Sequence, residues 1–183
     1  VSINTIFLDM DDVLADFIRG ALEIHGITRE EFIAQHDGSW SIVSTLGLSE
    51  EEFWLPIIEA GQSFWQELKL TKHATELMQW VTDQKLDYYI LTSPVSTPQC
   101  YAGKYLWLQE FLGPAFNCYV PTVHKHLLAK PGTLLIDDSP SICRTFRDGG
   151  GFAIQYPTRY NSLSWFSCQP VKFVSHIVDS YTE

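Results

Sequence analysis

Asp9 and Asp11 flank a single residue in the segment Thr5-Ile6-Phe7-Leu8-Asp9-Met10-Asp11-Asp12-Val13-Leu14. The run before them is apolar and reads as a buried strand, on which residues two apart point the same way. Two carboxylates are therefore expected to converge at the strand's C-terminal end, with a third one residue on, at Asp12. Such charges repel unless a metal ion, a shared proton or full exposure to water answers them. A second apolar run, Asp87 to Leu91, ends in Thr92-Ser93-Pro94, and a third, Thr133 to Ile136, ends in Asp137-Asp138. Lys125 lies before the third, in His124-Lys125-His126. Converging carboxylates suit Mg2+, a hard cation that takes oxygen ligands. Hydroxyls and a lysine suit a phosphate.

The elements that must position these groups alternate between strand and helix. Helices are expected over Val13 to Ile24 and over about His73 to Gln84. Another follows Pro94, with Tyr101, Tyr105, Leu108 and Leu112 on its inner face. Thr28-Arg29-Glu30-Glu31 and Ser49-Glu50-Glu51-Glu52 are capping-box patterns, each opening a short helix, with His36 to Trp40 a loop between them. Cys118 to Val120 and Phe152 to Gln155 read as strands, Ser141 to Arg147 as a helix stopped by Gly149-Gly150-Gly151, and Val171 to Tyr181 as a terminal helix. The series predicts an α/β fold, a Rossmann-like parallel sheet with helices on both faces. Residues 16–70 hold several helices and no convincing strand, so they are expected to form a small helical cap inserted after the first strand. Residues 1–15 and 71–183 then make the core domain. In such sheets ligands bind at the carboxyl ends of the strands, where the polar residues above collect.

Composition narrows the function. The chain has 183 residues and is 45% hydrophobic, enough for one domain with a good core. A net charge of -10 argues against a nucleic-acid polymer as partner, since phosphates must be met by Lys and Arg. A single nucleotide stays compatible with it. Cys100, Cys118, Cys143 and Cys168 are scattered without a CxxC pair, so reduced thiols are expected rather than zinc or a redox motif. The first residues lack the charged and apolar regions of a signal peptide, and no stretch approaches a membrane span, which points to a cytoplasmic location and no membrane partner. Monomer and homodimer are equally compatible with these features.

The four elements, Asp9-Met10-Asp11, Thr92, Lys125 and Asp137-Asp138, occur in the order found in the haloacid dehalogenase (HAD) superfamily of phosphatases, which the chain resembles. Within it the chain more closely resembles the 5′(3′)-deoxyribonucleotidases. That similarity is carried by Val13-Leu14-Ala15-Asp16-Phe17, Ile90 to Pro94, Gly103-Lys104-Tyr105-Leu106-Trp107, Phe111-Leu112-Gly113-Pro114 and Leu134 to Asp138. The resemblance implies Asp9 as nucleophile and Asp11 as general acid and base, with Asp11 also meeting Mg2+ through its carbonyl. It implies that Thr92 and Ser93 hold the phosphoryl group and that Lys125 neutralises charge. Asp138, supported by Asp137, would complete a metal shell with Asp9. Where the deoxyribonucleotidases usually carry Gly after the DxD, this chain has Asp12, which is expected to cap the next helix or join the metal site.

The implied activity is a Mg2+-dependent phosphomonoesterase for deoxyribonucleoside monophosphates. Phe17, Trp40, Phe64 and Trp65 fall where that family places an aromatic base pocket, although aromatics in a cap are more often core. Two other readings compete. One keeps the chemistry with a different small phosphorylated metabolite, and the other is a catalytically silent binding protein. His124 and His126 read as surface residues beside the lysine.

Overall fold

The structure, a computed structural model, describes residues 2–35 and 41–182. In chain order the elements are β1 (Thr5–Leu8), α1 (Phe17–Ile24), α2 (Arg29–Gln35), α3 (Ile42–Thr45), α4 (Glu50–Ala60), α5 (Gln62–Gln66), α6 (Ala74–Asp83) and β2 (Asp87–Thr92). They continue with α7 (Pro98–Leu112), β3 (Tyr119–Pro121), β4 (Thr133–Asp137), α8 (Pro140–Asp148), β5 (Phe152–Gln155) and α9 (Pro170–Thr182). The expected loop over His36 to Trp40 lies outside the described residues, and Trp40 with it.

The chain divides into two compact units. One holds the residues up to Ala15, Leu70–Ser93 and those from Cys118 onward, and the other holds Asp16–Lys69 and Pro94–Asn117. The first unit carries the parallel sheet, in the order β3-β2-β1-β4-β5. Its central strands are apolar on both faces, as a sheet covered on both sides requires. Phe7 pairs with Leu135 and Leu135 with Ala153, and these side chains pack with Leu91, Cys143 and Phe146 under α8. Ile6, Leu8, Ile90, Leu134, Ile136 and Ile154 have the opposite parity and are equally buried. This double burial makes the strand ends rigid supports for polar residues.

In the second unit the caps decide where helices begin. The Asp16 carboxylate accepts the Arg19 N–H at 3.3 Å, so α1 starts at Phe17 and not at the expected Val13. Both capping boxes form. Thr28 and Glu31 exchange bonds at the head of α2, and Ser49 and Glu52 do so at the head of α4. The inner face of α7 departs from the expectation. Its buried residues are Cys100, Gly103, Lys104, Trp107 and Leu108, while Tyr101 is 40% exposed. Gly103 is the reason: a Cβ there would stand 2.6 Å from the Gln62 carbonyl oxygen and 2.7 Å from the Trp65 Cβ. The missing side chain lets α5 press backbone against α7, and Trp107 Nε1 then donates to the Leu68 carbonyl at 2.7 Å. Residues 94–117, expected in the core domain, therefore group with the insertion.

Candidate active site

Sheet pairing continues one residue past β1, because the Asp9 N–H donates to the Ile136 carbonyl at 2.9 Å. The chain then turns. The Met10 carbonyl accepts the N–H groups of Leu14 and Ala15 at 2.8 and 2.9 Å, and the Asp12 N–H donates to the Ala15 carbonyl at 2.6 Å. Asp11 thus sits in a turn, bridged to Ala15, and strand alternation does not govern its direction. Asp12 takes the left-handed conformation, with φ of 56°, which Gly adopts freely and which Asp and Asn tolerate better than other residues. The capping role considered for Asp12 belongs to Asp16.

Lys125 occupies a single 3-10 turn, Lys125–Leu128, between β3 and β4, and is 2% exposed. Its Nζ lies 2.7 Å from Asp9 Oδ1 and 2.7 Å from Asp137 Oδ2. Burial alone would lower the ammonium's pKa, but these two carboxylates reverse that and hold it above its ordinary value. The flanking His124 and His126 are exposed, as expected.

Asp137 ends β4 with both carboxylate oxygens engaged, Oδ2 by Lys125 and Oδ1 by the Ser139 N–H at 2.9 Å. Burial and the Asp9 charge still push it up to about 7, against the pull of Lys125. Asp138 is held well above the ordinary carboxylate range, first by burial and then by the charges of Asp12, Asp137 and Asp9. Asp9, Asp137 and Asp138 each present an oxygen within 4.8 Å of the others, and this is the acidic group suited to a cation among the described residues. Three buried carboxylates face one lysine, so the set is over-supplied with negative charge and chemically fits a hard divalent cation. The Asp11 carboxylate is not part of that group.

Thr92, fully buried, closes β2, and its carbonyl accepts the Thr122 N–H at 2.8 Å. The Ser93 hydroxyl donates to the Thr122 carbonyl at 3.3 Å. Asp9, Thr92, Ser93, Asp137 and Asp138 lie at the ends of neighbouring parallel strands and, with Lys125 from the turn after β3, all belong to the first unit. Phe17, Phe64 and Trp65 belong to the second, in one aromatic cluster. Phe17 stacks on Trp65 at 5.8 Å with an interplanar angle of 11°, and Phe64 meets Phe17 edge-on at 6.0 Å. Trp65 is 3% exposed, whereas Phe17 and Phe64 are half-buried.

Ser139 was not anticipated as a supporting residue. Besides its N–H to Asp137, its side chain caps α8 by accepting the Ile142 N–H. The Ser-Pro step before a helical run is the signal, since Pro140 takes the first helical position.

Neither a protein-family model nor a curated protein matches this chain. Solved structures do. A HAD-superfamily hydrolase from Ehrlichia chaffeensis matches at a TM-score of 0.56 over 100% of both chains, with 10% identity. The HAD hydrolase YfnB from Bacillus subtilis, solved with magnesium, matches at 0.52 with 19% identity, over 84% of this chain and 86% of its own. A HAD-family hydrolase from Deinococcus radiodurans, solved with phosphate and sodium, matches at 0.54 with 10% identity, over 82% and 79%. At these identities the likeness establishes the fold: the chain has the α/β architecture of the HAD hydrolases.

Proposed function

We propose that this protein is a Mg2+-dependent phosphomonoesterase that works through an aspartyl-phosphate on Asp9, with deoxyribonucleoside monophosphates as substrates. The observation that carries the chemistry is the buried Lys125 ammonium bridging Asp9 and Asp137 at 2.7 Å each, beside Asp138. A carboxylate nucleophile attacking a phosphate dianion must be relieved of repulsion, and a fixed cation on its unreactive oxygen does that without reorganisation. The Asp9 oxygen not held by Lys125 attacks phosphorus as the ester P–O bond breaks. Asp11 gives its proton to the leaving alkoxide, then takes one from the water that attacks phosphorus and frees Asp9 and phosphate. Thr92, Ser93 and Lys125 hold the phosphoryl oxygens. Mg2+, when held by Asp9, Asp138 and the Asp11 carbonyl, supplies charge neutralisation to the phosphoryl group. Both Asp137 oxygens are already engaged, which favours Asp138 as the direct ligand.

The nucleotide substrate rests on the resemblance and on the aromatic cluster of the second unit, which suits a nucleobase through π-stacking. A different small phosphorylated metabolite is the second reading. It is favoured by the Phe17–Trp65 stack, which occupies one face of each ring with the other. Purified protein is expected to hydrolyse an aryl phosphate only with Mg2+ present, and a phosphomonoester panel should rank deoxyribonucleotides first. Sugar phosphates ranking equal to them would remove the nucleotidase reading. Activity independent of Mg2+ would remove the metal requirement, and no activity at all on the panel would remove the phosphatase reading.

A further inference from the structure

The two acidic residues after β4 are held by different means. The Asp137 carboxylate is gripped directly by Lys125 and the Ser139 N–H. At Asp138 the hydrogen bonds from Gln155 and Asn161 go to the backbone carbonyl instead. That backbone is clamped by Asn161. Asn161 Nδ2 donates to the Asp138 carbonyl at 3.1 Å and to the Tyr156 carbonyl at 2.8 Å, while Oδ1 accepts the N–H groups of Thr158 at 3.3 Å and Leu163 at 3.0 Å. An amide side chain has two donor hydrogens and two acceptor lone pairs, and all four are used here. Gln155 Nε2 adds a second donor to the Asp138 carbonyl at 3.3 Å. The Tyr156 N–H holds the Asp137 carbonyl at 2.8 Å.

The clamp is built into the interior. Asn161 is 8% exposed, and Tyr156, Thr158 and Tyr160 around it are buried too. A buried amide is costly unless its bonds are made, and Asn161 makes all four, one of them to the Asp138 carbonyl beside the carboxylate triad. We propose that Asn161, assisted by Gln155, is a positioning residue for the cation site: it fixes the peptide of Asp138 so that this carboxylate faces Asp9. The inference rests on the cation reading of the Asp9, Asp137 and Asp138 cluster. Outer-shell partners of metal ligands characteristically change metal affinity by about 10- to 100-fold when removed.

The test is calorimetric titration of Mg2+ into the metal-free full chain, alongside thermal melts. Wild-type protein is expected to bind, and Asp138→Asn to lose binding. Asn161→Ala should weaken Mg2+ binding by about tenfold or more, with turnover recovering as Mg2+ is raised to saturation. Gln155→Met removes a donor to Asp138 while leaving the Asn161 turn intact. It should weaken binding by a smaller factor, and it decides the matter if Asn161→Ala does not fold. Wild-type binding, loss in Asp138→Asn, and unchanged affinity in folded Asn161→Ala, or in Gln155→Met should the former not fold, would overturn the clamp alone. No Mg2+ binding by wild type, or full binding by Asp138→Asn, would overturn the cation site and the clamp together. A lowered melting temperature with unchanged Mg2+ affinity would assign Asn161 a structural role and likewise overturn the proposal.

Discussion

Lys125 engages two of the buried carboxylates, Asp9 and Asp137, at once. Removing one partner of a buried ion pair leaves an uncompensated charge, which costs about 3–5 kcal/mol. Lys125→Met should therefore lower unfolding free energy in Mg2+-free buffer by about that amount, measured by urea titration. A loss well under 1 kcal/mol would mean that the carboxylates are already neutral and the pairing is weak. Asp12 presents a separate question of backbone strain. Its φ of 56° excludes a β-branched side chain, so Asp12→Val should cost about 1–2 kcal/mol, whereas Asp12→Gly should leave stability near that of wild type. Comparable melts for the two variants would show that the turn relaxes out of the left-handed region. The Asp12 charge also raises Asp138, after burial.

Among the elements, α7 shows what holds the second unit together. Gly103→Ala improves helix propensity by about 1 kcal/mol. Against this, the new Cβ would meet the Gln62 carbonyl and the Trp65 Cβ, one of them rigid backbone. Overpacking of that kind costs about 1–3 kcal/mol, so net destabilisation is expected in a thermal melt. A stabilised variant would show that α5 can move away without penalty. On α7 the expected Leu108 is buried, but the rest of the buried face includes Gly103 and Lys104, which hydrophobic periodicity ignores. Lys104 is buried with its Nζ 5.0 Å over the Trp65 ring, an arrangement no single-sequence pattern announces. Capping boxes were legible because each depends on two residues three apart. The start of α1 was not, since three apolar residues ahead of Asp16 continue the periodic pattern while their backbone is turned around the Met10 carbonyl.

For the molecule as a whole, the strand-helix alternation was enough to foresee a parallel sheet, because five short apolar runs each end in turn or polar residues. Asp9, Thr92 and Asp137 each end or directly follow a strand of the one parallel sheet, which strand-ending polar residues announce, whereas Lys125 lies in a turn between β3 and β4. The grouping of 94–117 with the insertion depends on a long-range contact at Gly103 and was invisible. Asn161 lies 23 residues beyond Asp138, joined to it only through the fold. No helix among the described residues is long and apolar enough to cross a membrane. The proposed chemistry turns on a single bond between Asp9 and phosphorus. It is tested by mixing the protein with an aryl phosphate and Mg2+, quenching in acid during turnover, and weighing the proteolytic peptides. The peptide containing Asp9 is expected to gain the mass of one phosphoryl group, and Asp9→Asn to show no such gain. Steady turnover in wild type with the phosphoryl group on another residue, or with none on the protein, would contradict it.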